Sequence, residues 1–392
     1  MNWRHTFQLG LLLGWIVHAG PAWAQGELAT LNFTAAEKIL EQGIKDRAYP
    51  GCTVTVGTDE KVLWSAAFGK FDYADGAPVT TATIYDLASV TKVAGTTAVY
   101  MRLAALGKVR MNESAGNHLP EFIATAANAE EKERREKVTL EHLLTHTAGL
   151  VSWKPFYKST ASYAELLAAI YAAPLESEPG QTYRYSDPGM ILAGEIAARI
   201  GGKPLAQLER ELVFGPLQMT NMFRNPPPKL HARIPPTERL PETGEFVCGV
   251  VHDENARAGQ GITGHAGLFA TAEDLGMFAA EMLRGLDGRS QLFPKPVMED
   301  FLRERQFDTR SHRTLGWGLT KNDSGSFGPA VSHTGFTGTS MWLDPQRKLY
   351  LVLLTNRVHP TRDNNRVSRV RGDLIAAVTA AFDAASGSHL QR

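Results

Sequence analysis

Asp86-Leu87-Ala88-Ser89-Val90-Thr91-Lys92 is the stretch from which this chain is best read. Ser89 and Lys92 are spaced i, i+3, so on a helix they share one face, one turn apart. Between residues 89 and 106 the charged side chains are Lys92 and Arg102; the rest is mostly Val, Ala, Leu, Met, Tyr and Thr. Such a helix is apolar nearly all round and belongs inside the fold. A lysine in its first turn is costly unless it is paired or used. A serine at the helix start has its hydroxyl near the positive end of the dipole, beside N–H groups with no intrahelical partner. That suits a nucleophile whose product is an oxyanion. The plain alternative is an N-cap serine followed by a chance lysine, since Ser-x-x-Lys turns up on the order of once in a chain this long.

The chain has 392 residues, enough for a large core in two intimate lobes. Residues 1–24 read as a secretory signal, with Arg4 and His5 as a basic start, an apolar centre over 9–17, and Ala22-Trp23-Ala24 before Gln25 as the cleavage site. The apolar run is short and broken by glycine, and no cysteine lies near the cleavage site. A periplasmic or secreted protein with no stable membrane anchor is expected. The 41 Lys and Arg balance the 41 Asp and Glu, which gives no support for nucleic-acid binding. Cys52 lies in a strand-like run, where a buried free thiol is expected; its pairing with Cys248 stays open.

Residues 33–47 have helical spacing, with Thr34 as a candidate N-cap. Residues 51–56 and 62–68 read as a hairpin around Gly57-Thr58-Asp59-Glu60. Residues 112–137 look like a surface excursion, whose charge run over 130–137 is a solvated face or loop. Helix-like segments over 140–150, 163–171, 190–200 and 205–213 follow, broken by proline and glycine, and another covers 271–283. Strand patterns return at 316–319, 330–332, 338–343 and 349–355, and a helix over 374–382 closes the chain. Strands from both ends therefore join one antiparallel sheet, and the helical middle forms a second lobe, with a cleft between them.

Two further motifs complete a constellation. Tyr185-Ser186-Asp187 lies on a turn before a helix, and His333-Thr334-Gly335-Phe336-Thr337-Gly338 lies in a strand context. With Ser89-x-x-Lys92, their order and spacing resemble the serine β-lactamase and penicillin-binding protein superfamily, closest to its class C β-lactamase-like branch with family VIII esterases and D,D-peptidases. The likeness runs over about residues 34–383. It includes Leu143-Leu144-Thr145-His146-Thr147-Ala148-Gly149-Leu150 and Gly267-Leu268-Phe269-Ala270-Thr271-Ala272-Glu273-Asp274-Leu275. Val251-His252-Asp253-Glu254-Asn255-Ala256, Gly264-His265-Ala266-Gly267 and Leu354-Thr355-Asn356-Arg357-Val358-His359-Pro360-Thr361 look like the penicillin-binding protein 4B-like hydrolases. The resemblance implies the α/β (α+β) β-lactamase/transpeptidase-like fold. One domain would span 25–383, with an α/β lobe at about 30–110 and 260–383, a helical lobe at about 111–259, and a tail over 384–392.

It also implies catalysis by Ser89, Lys92 and Tyr185 without metal or cofactor. A serine hydroxyl must lose its proton to a nearby base. Lys92 or Tyr185 can take it, and the two are expected to titrate as a coupled pair. Asp187, His333, Thr334, Gly335 and Phe336 would bind substrate, and the amides of Phe336 and Ser89 would form the oxyanion hole. Gly335 would let substrate approach without a Cβ in the way; an edge-strand bulge is the plain alternative for Gly335 and Gly338. Two residues depart from the family pattern. His333 stands where many relatives have lysine, and Asp187 where β-lactamases have asparagine. A histidine is mostly neutral above pH 6.5 or so, and an ionised aspartate only accepts hydrogen bonds. Both changes disfavour β-lactam turnover and fit cell-wall peptides, through D,D-carboxypeptidase or endopeptidase chemistry, or esters. A broad carboxylesterase and a non-catalytic peptidoglycan or penicillin sensor are the alternatives.

His142 and His146, at i, i+4, could bind metal on a helix, but no His-Glu-x-x-His pattern surrounds them. His252, Asp253, Glu254 and His265 could touch substrate or scaffold a loop. Trp153, Phe156 and Tyr157 could line an acyl pocket or pack the lobe.

Overall fold

The computed structural model describes residues 31–240, 242–308, 311–321 and 327–387; the expected signal sequence lies outside them. Among the described residues eleven strands are formed: β1 Gly51–Thr58, β2 Val62–Gly69, β3 Tyr85–Asp86, β4 Phe223–Arg224, β5 Leu268–Ala270, β6 Arg305–Asp308, β7 Ser311–Arg313, β8 Gly318–Lys321, β9 Phe327–Thr334, β10 Ser340–Asp344 and β11 Leu349–Thr355. Eight make one antiparallel sheet in the order β2-β1-β11-β10-β9-β8-β7-β6. The N-terminal hairpin thus joins the C-terminal strands where β1 pairs with β11, Cys52 opposite Thr355 and Thr58 opposite Leu349.

The period of two sorts the side chains. Cys52, Val54, Val56, Leu349, Leu351 and Leu353 face a layer made by the first helix, Thr34–Lys45, and the last, Val367–Ser386. Tyr350, Val352 and Leu354 face the larger core with the helix Ala272–Leu286. Each buried Leu or Val contributes about 1.5–3 kcal/mol. Sheet and helices leave Cys52 sealed, and burial pushes its thiol up to about 12. Cys248 lies on an exposed loop, and both thiols are free.

A second sheet, in the order β3-β5-β4, is small but well placed. Tyr85 pairs with Ala270 and Asp86 with Phe269, so β3 delivers the chain straight into Ser89.

Several sequence expectations are corrected. Ser89 and Lys92 do not share one regular α-helix. A single tight turn, Ala88–Val90, passes into a wide π-helical segment, Lys92–Thr97, before the α-helix Ala98–Ala105. Phe33, not Thr34, is the first helix's N-cap, and Asn32 Oδ1 accepts the Thr34 N–H at 2.9 Å. The charge run is a helix, Ala129–Glu136, with Glu131 and Arg135 turned inward. The Arg135 guanidinium binds Glu131 Oε1 at 2.8 Å and the carbonyls of Phe122, Tyr171 and Ala173, so this pair ties three segments together. The helix expected over 140–150 stops at Leu144, and the last helix starts seven residues earlier than its apolar spacing suggests, at Val367. Among the described residues no helix is long and apolar enough to cross a membrane.

Candidate active site

Asp86 builds the turn that presents Ser89. Its carboxylate accepts the N–H of Ala88 at 2.8 Å and of His252 at 2.6 Å. Burial pushes this carboxyl up to about 6, against the pull of those two amides. Ala88 takes a φ of +45°, a conformation that costs a non-glycine residue about 1–2 kcal/mol. The turn is held from the other side by the segment after β9. Thr337 Oγ1 donates to Asp86 O at 2.7 Å, and Thr339 Oγ1 to Leu87 O at 2.8 Å. Neither the Ser89 amide nor the Phe336 amide has an acceptor among the described residues, so both N–H groups are free to bind an oxyanion.

Gly335 has a different reason from the expected one. A Cβ there would lie 2.1 Å from Thr339 Oγ1 and 2.4 Å from Leu87 O. The space saved is filled by the protein's own turn, not left for substrate. The edge-bulge alternative also fails, because β9 is an inner strand, between β8 and β10.

Lys92 is fully buried. Its Nζ donates to Ser89 Oγ at 2.9 Å and to His265 O at 3.0 Å, and lies 2.7 Å from Asp187 Oδ1. It also sits 5.0 Å from the centre of the Tyr185 ring. Burial opposes the lysine's charge, but the Asp187 carboxylate and the Tyr185 phenol outweigh it and hold Lys92 above its ordinary value. Burial raises the Tyr185 phenol; Lys92 pulls it down and Asp187 pushes it up, with a net rise. The resting pair is therefore an ammonium beside a neutral phenol.

Tyr185-Ser186-Asp187 is set by the helix Asp187–Gly201. Ser186 is its N-cap and accepts the Gly189 N–H at 3.0 Å. Asp187, Asp253 and His265 bring their ligand atoms within 4.8 Å of one another, a grouping that could suit a cation. The Lys92 ammonium already sits on Asp187, and His265 Nε2 binds Asp253 Oδ1 at 2.8 Å. Burial raises the Asp253 carboxyl, but His265, the Ala256 amide and Lys92 hold it well below the usual range.

His333 is buried, with Nδ1 3.0 Å from Thr334 O. Burial, then Arg313 and Lys92, push it well below its ordinary value, so it is neutral. Ser89, Tyr185, Thr334, Gly335 and Phe336 line a cavity of about 280 Å³ together with Arg357, Asn365, Val367, Ser368 and Arg371. Phe336 is 46% exposed, its ring between His252 and Arg357. His252 serves as scaffold through its amide on Asp86. Phe156 is core and Trp153 is exposed.

Sequence reasoning missed Arg357 and Arg371. Arg371 donates to Gly335 O at 3.1 Å and Thr339 O at 2.8 Å. Arg357 donates through Nε to Phe336 O at 2.7 Å. Neither has a carboxylate partner among the described residues. Burial and the neighbouring Arg357 push Arg371 down to about 10. The sequence offers only a run of arginines at the start of a helix, which reads as a solvated face. His146 was also missed. It and His142 do not form a metal pair: His142 Nδ1 accepts the Thr139 N–H in a helix cap, and His146 Nδ1 accepts the Ser186 N–H.

An antiparallel sheet flanked by helices, with a Ser-Lys-Tyr cluster built around a buried lysine beside β9, is the arrangement of a hydrolase that works through a serine. The family model described as Beta-lactamase matches residues 36–374, and the chain belongs to that family and is a serine hydrolase. An N-acetylmuramyl-L-alanine amidase of Bacillus subtilis (strain 168) is 30% identical over 374 residues, 85% of this chain and 82% of its own. A candidate D-alanyl-D-alanine carboxypeptidase of Escherichia coli (strain K12) is 30% identical over 351 residues, 80% of each chain. Among solved structures, EstCE1, a hydrolase with promiscuous acyltransferase activity, superposes with a TM-score of 0.72 at 22% identity over 88% of this chain and 97% of its own. A class C β-lactamase from Rhodobacter sphaeroides gives 0.68 at 19% over 88% and 99%. The two structures share the fold.

Proposed function

We propose that the chain is an exported hydrolase that forms an acyl-enzyme on Ser89, with cell-wall-type peptides ending in a free carboxylate as its substrates. The contact between the buried Lys92 ammonium and Ser89 Oγ carries the reading. Once the Lys92–Tyr185 pair has given up one of its protons to solvent, it accepts the Ser89 proton as Oγ attacks the carbonyl. The amides of Ser89 and Phe336 receive the oxyanion, the proton moves on to the leaving amine or alcohol, and water then releases the acyl group. The curated relatives support a cell-wall substrate. Arg357 and Arg371 support a carboxylate: they supply the positive charge that neutral His333 lacks. That revises the weaker anion preference expected from His333 alone.

The test is whole-protein mass spectrometry after incubation with a fluorescent penicillin and, separately, with p-nitrophenyl butyrate. A persistent penicillin adduct with slow peptide turnover supports the peptidase; an adduct without any turnover supports a sensor. Ester turnover with no adduct supports the carboxylesterase, which the neutral His333 favours.

Two substitutions sharpen the reading. Arg371→Gln keeps N–H donors for Gly335 and Thr339 but removes the charge. The KM for a D-alanyl peptide carboxylate is expected to rise by about 10-fold or more, the worth of one charge-assisted hydrogen bond, while that for the peptide amide stays put. Equal losses on both peptides would show that Arg371 only braces the turn. Asp187→Asn removes the anion that raises both Lys92 and Tyr185. The group that must lose a proton then loses it more readily, so the acid limb of kcat/KM against pH moves to lower pH. A limb that stays or moves up would show that Asp187 does not hold this proton.

A further inference from the structure

His146 grips Tyr185 from three directions. It is 1% exposed and follows the helix Leu140–Leu144 with a left-handed φ of +60°. Its carbonyl accepts the Arg184 N–H at 2.8 Å, and its Nδ1 accepts the Ser186 N–H at 3.1 Å. Both residues flanking Tyr185 are thereby pinned to one residue. The His146 ring lies against the phenol ring, with centroids 4.5 Å apart and planes 34° apart.

The ring's chemistry fits this task. A ring whose Nδ1 accepts carries its proton on Nε2, and Nε2 is shut from solvent without a partner. Burial, then Arg313, Lys92 and His333, hold His146 neutral. A protonated ring would turn an N–H against the Ser186 N–H. The left-handed backbone costs about 1–2 kcal/mol, yet the residue there is not the glycine or asparagine that bears it most easily. The helix start beyond Tyr185 has its own ties: the Asp187 N–H donates to Ser152 O at 3.0 Å, and Ser186 Oγ donates to Val151 O at 2.8 Å. Loss of the imidazole should therefore loosen Tyr185 more than the helix.

We propose that His146 is a positioning residue for Tyr185, which sets the depth and plane of the phenol against Ser89 and Lys92 through its carbonyl, its Nδ1 and its ring face. It touches no reacting atom. The proposal rests on the role given to Tyr185 above.

The test uses the full chain and a fluorophosphonate, with labelling of Ser89 followed by mass spectrometry across pH. His146→Gly relieves the backbone and removes the ring. His146→Asn suits the same φ, and its amide oxygen can accept from Ser186. Misplacing a reacting group by about 1 Å costs on the order of 100-fold, and that loss is expected for His146→Gly, with the KM for p-nitrophenyl butyrate little changed. Looser packing wets the phenol and relieves the burial that raises it, so the acid limb moves to lower pH. A mere loss of folded protein would scale the rate equally at all pH values and leave the limb in place. His146→Asn should label at least about 10-fold faster than His146→Gly. A folded glycine variant with wild-type rate and limb, or an asparagine variant no faster than glycine, overturns the proposal. If the glycine variant does not fold, the asparagine variant decides: a rate within about 30-fold of wild type supports it, and a slower one overturns it. A wild-type chain that takes no label at Ser89 overturns the Ser89 and Tyr185 reading first, and this one with it.

Discussion

Ser89→Ala is expected to remove hydrolysis and covalent labelling together while the protein stays folded. The Oγ is the atom on which the Lys92 ammonium and the Tyr185 phenol converge. Removing the nucleophile of such a unit costs on the order of a million-fold in kcat. The side chain gives up one hydrogen bond, worth about 1 kcal/mol, so thermal unfolding should shift by only a few degrees. The check is the mass increase with a fluorophosphonate, read beside a melting curve. A variant that still gains the label, or still turns over p-nitrophenyl butyrate at more than a trace, would place the nucleophile elsewhere.

Lys92→Met should fail in two separable ways. The rate falls by about 100- to 10,000-fold, the usual worth of a positioned proton-transfer group. Stability falls as well, because the Asp187 carboxylate loses its partner at 2.7 Å. Breaking a buried pair costs about 3–5 kcal/mol, and the low end applies because Asp187 keeps 14% of its side-chain exposure. The double variant Lys92→Met with Asp187→Asn should regain most of the stability and none of the rate, since it removes the stranded anion but not the missing proton carrier. A double variant as unstable as the single one would show that the ion pair is not the source of the loss.

Much of this was legible in the chain before the fold was seen. The hairpin of β1 and β2, the helix Tyr163–Tyr171 and β11 follow directly from apolar period and turn residues. The Ser-Lys-Tyr constellation, which is proposed to be catalytic, could be picked out because three separate motifs stand in a fixed order, which chance matches to one of them do not supply. What stayed hidden depends on contacts between distant segments. The π-helical stretch after Ser89 has the composition of an ordinary buried helix, and no residue in it announces the wider turn. Glu131 and Arg135 sit in a run that looks fully solvated; three carbonyls from two other segments make their burial possible. Arg366 to Arg371 carries three arginines among six residues, and nothing local says that one of them turns back to Gly335. His146 was weighed only against His142, as a metal pair that the surrounding residues did not support, when its acceptor role is toward Ser186, forty positions away.

The bonds from Thr337 to Asp86 and from Thr339 to Leu87 join positions 251 and 252 residues apart. The proposed catalytic centre is therefore a late product of synthesis. A nascent chain carries Ser89, Lys92 and Tyr185 long before it has the strand that completes them, and the turn that presents Ser89 lacks these two bonds until the two ends have closed on each other. Closure over such a separation is a slow, non-local step, so competence for reaction and completion of the fold coincide in time.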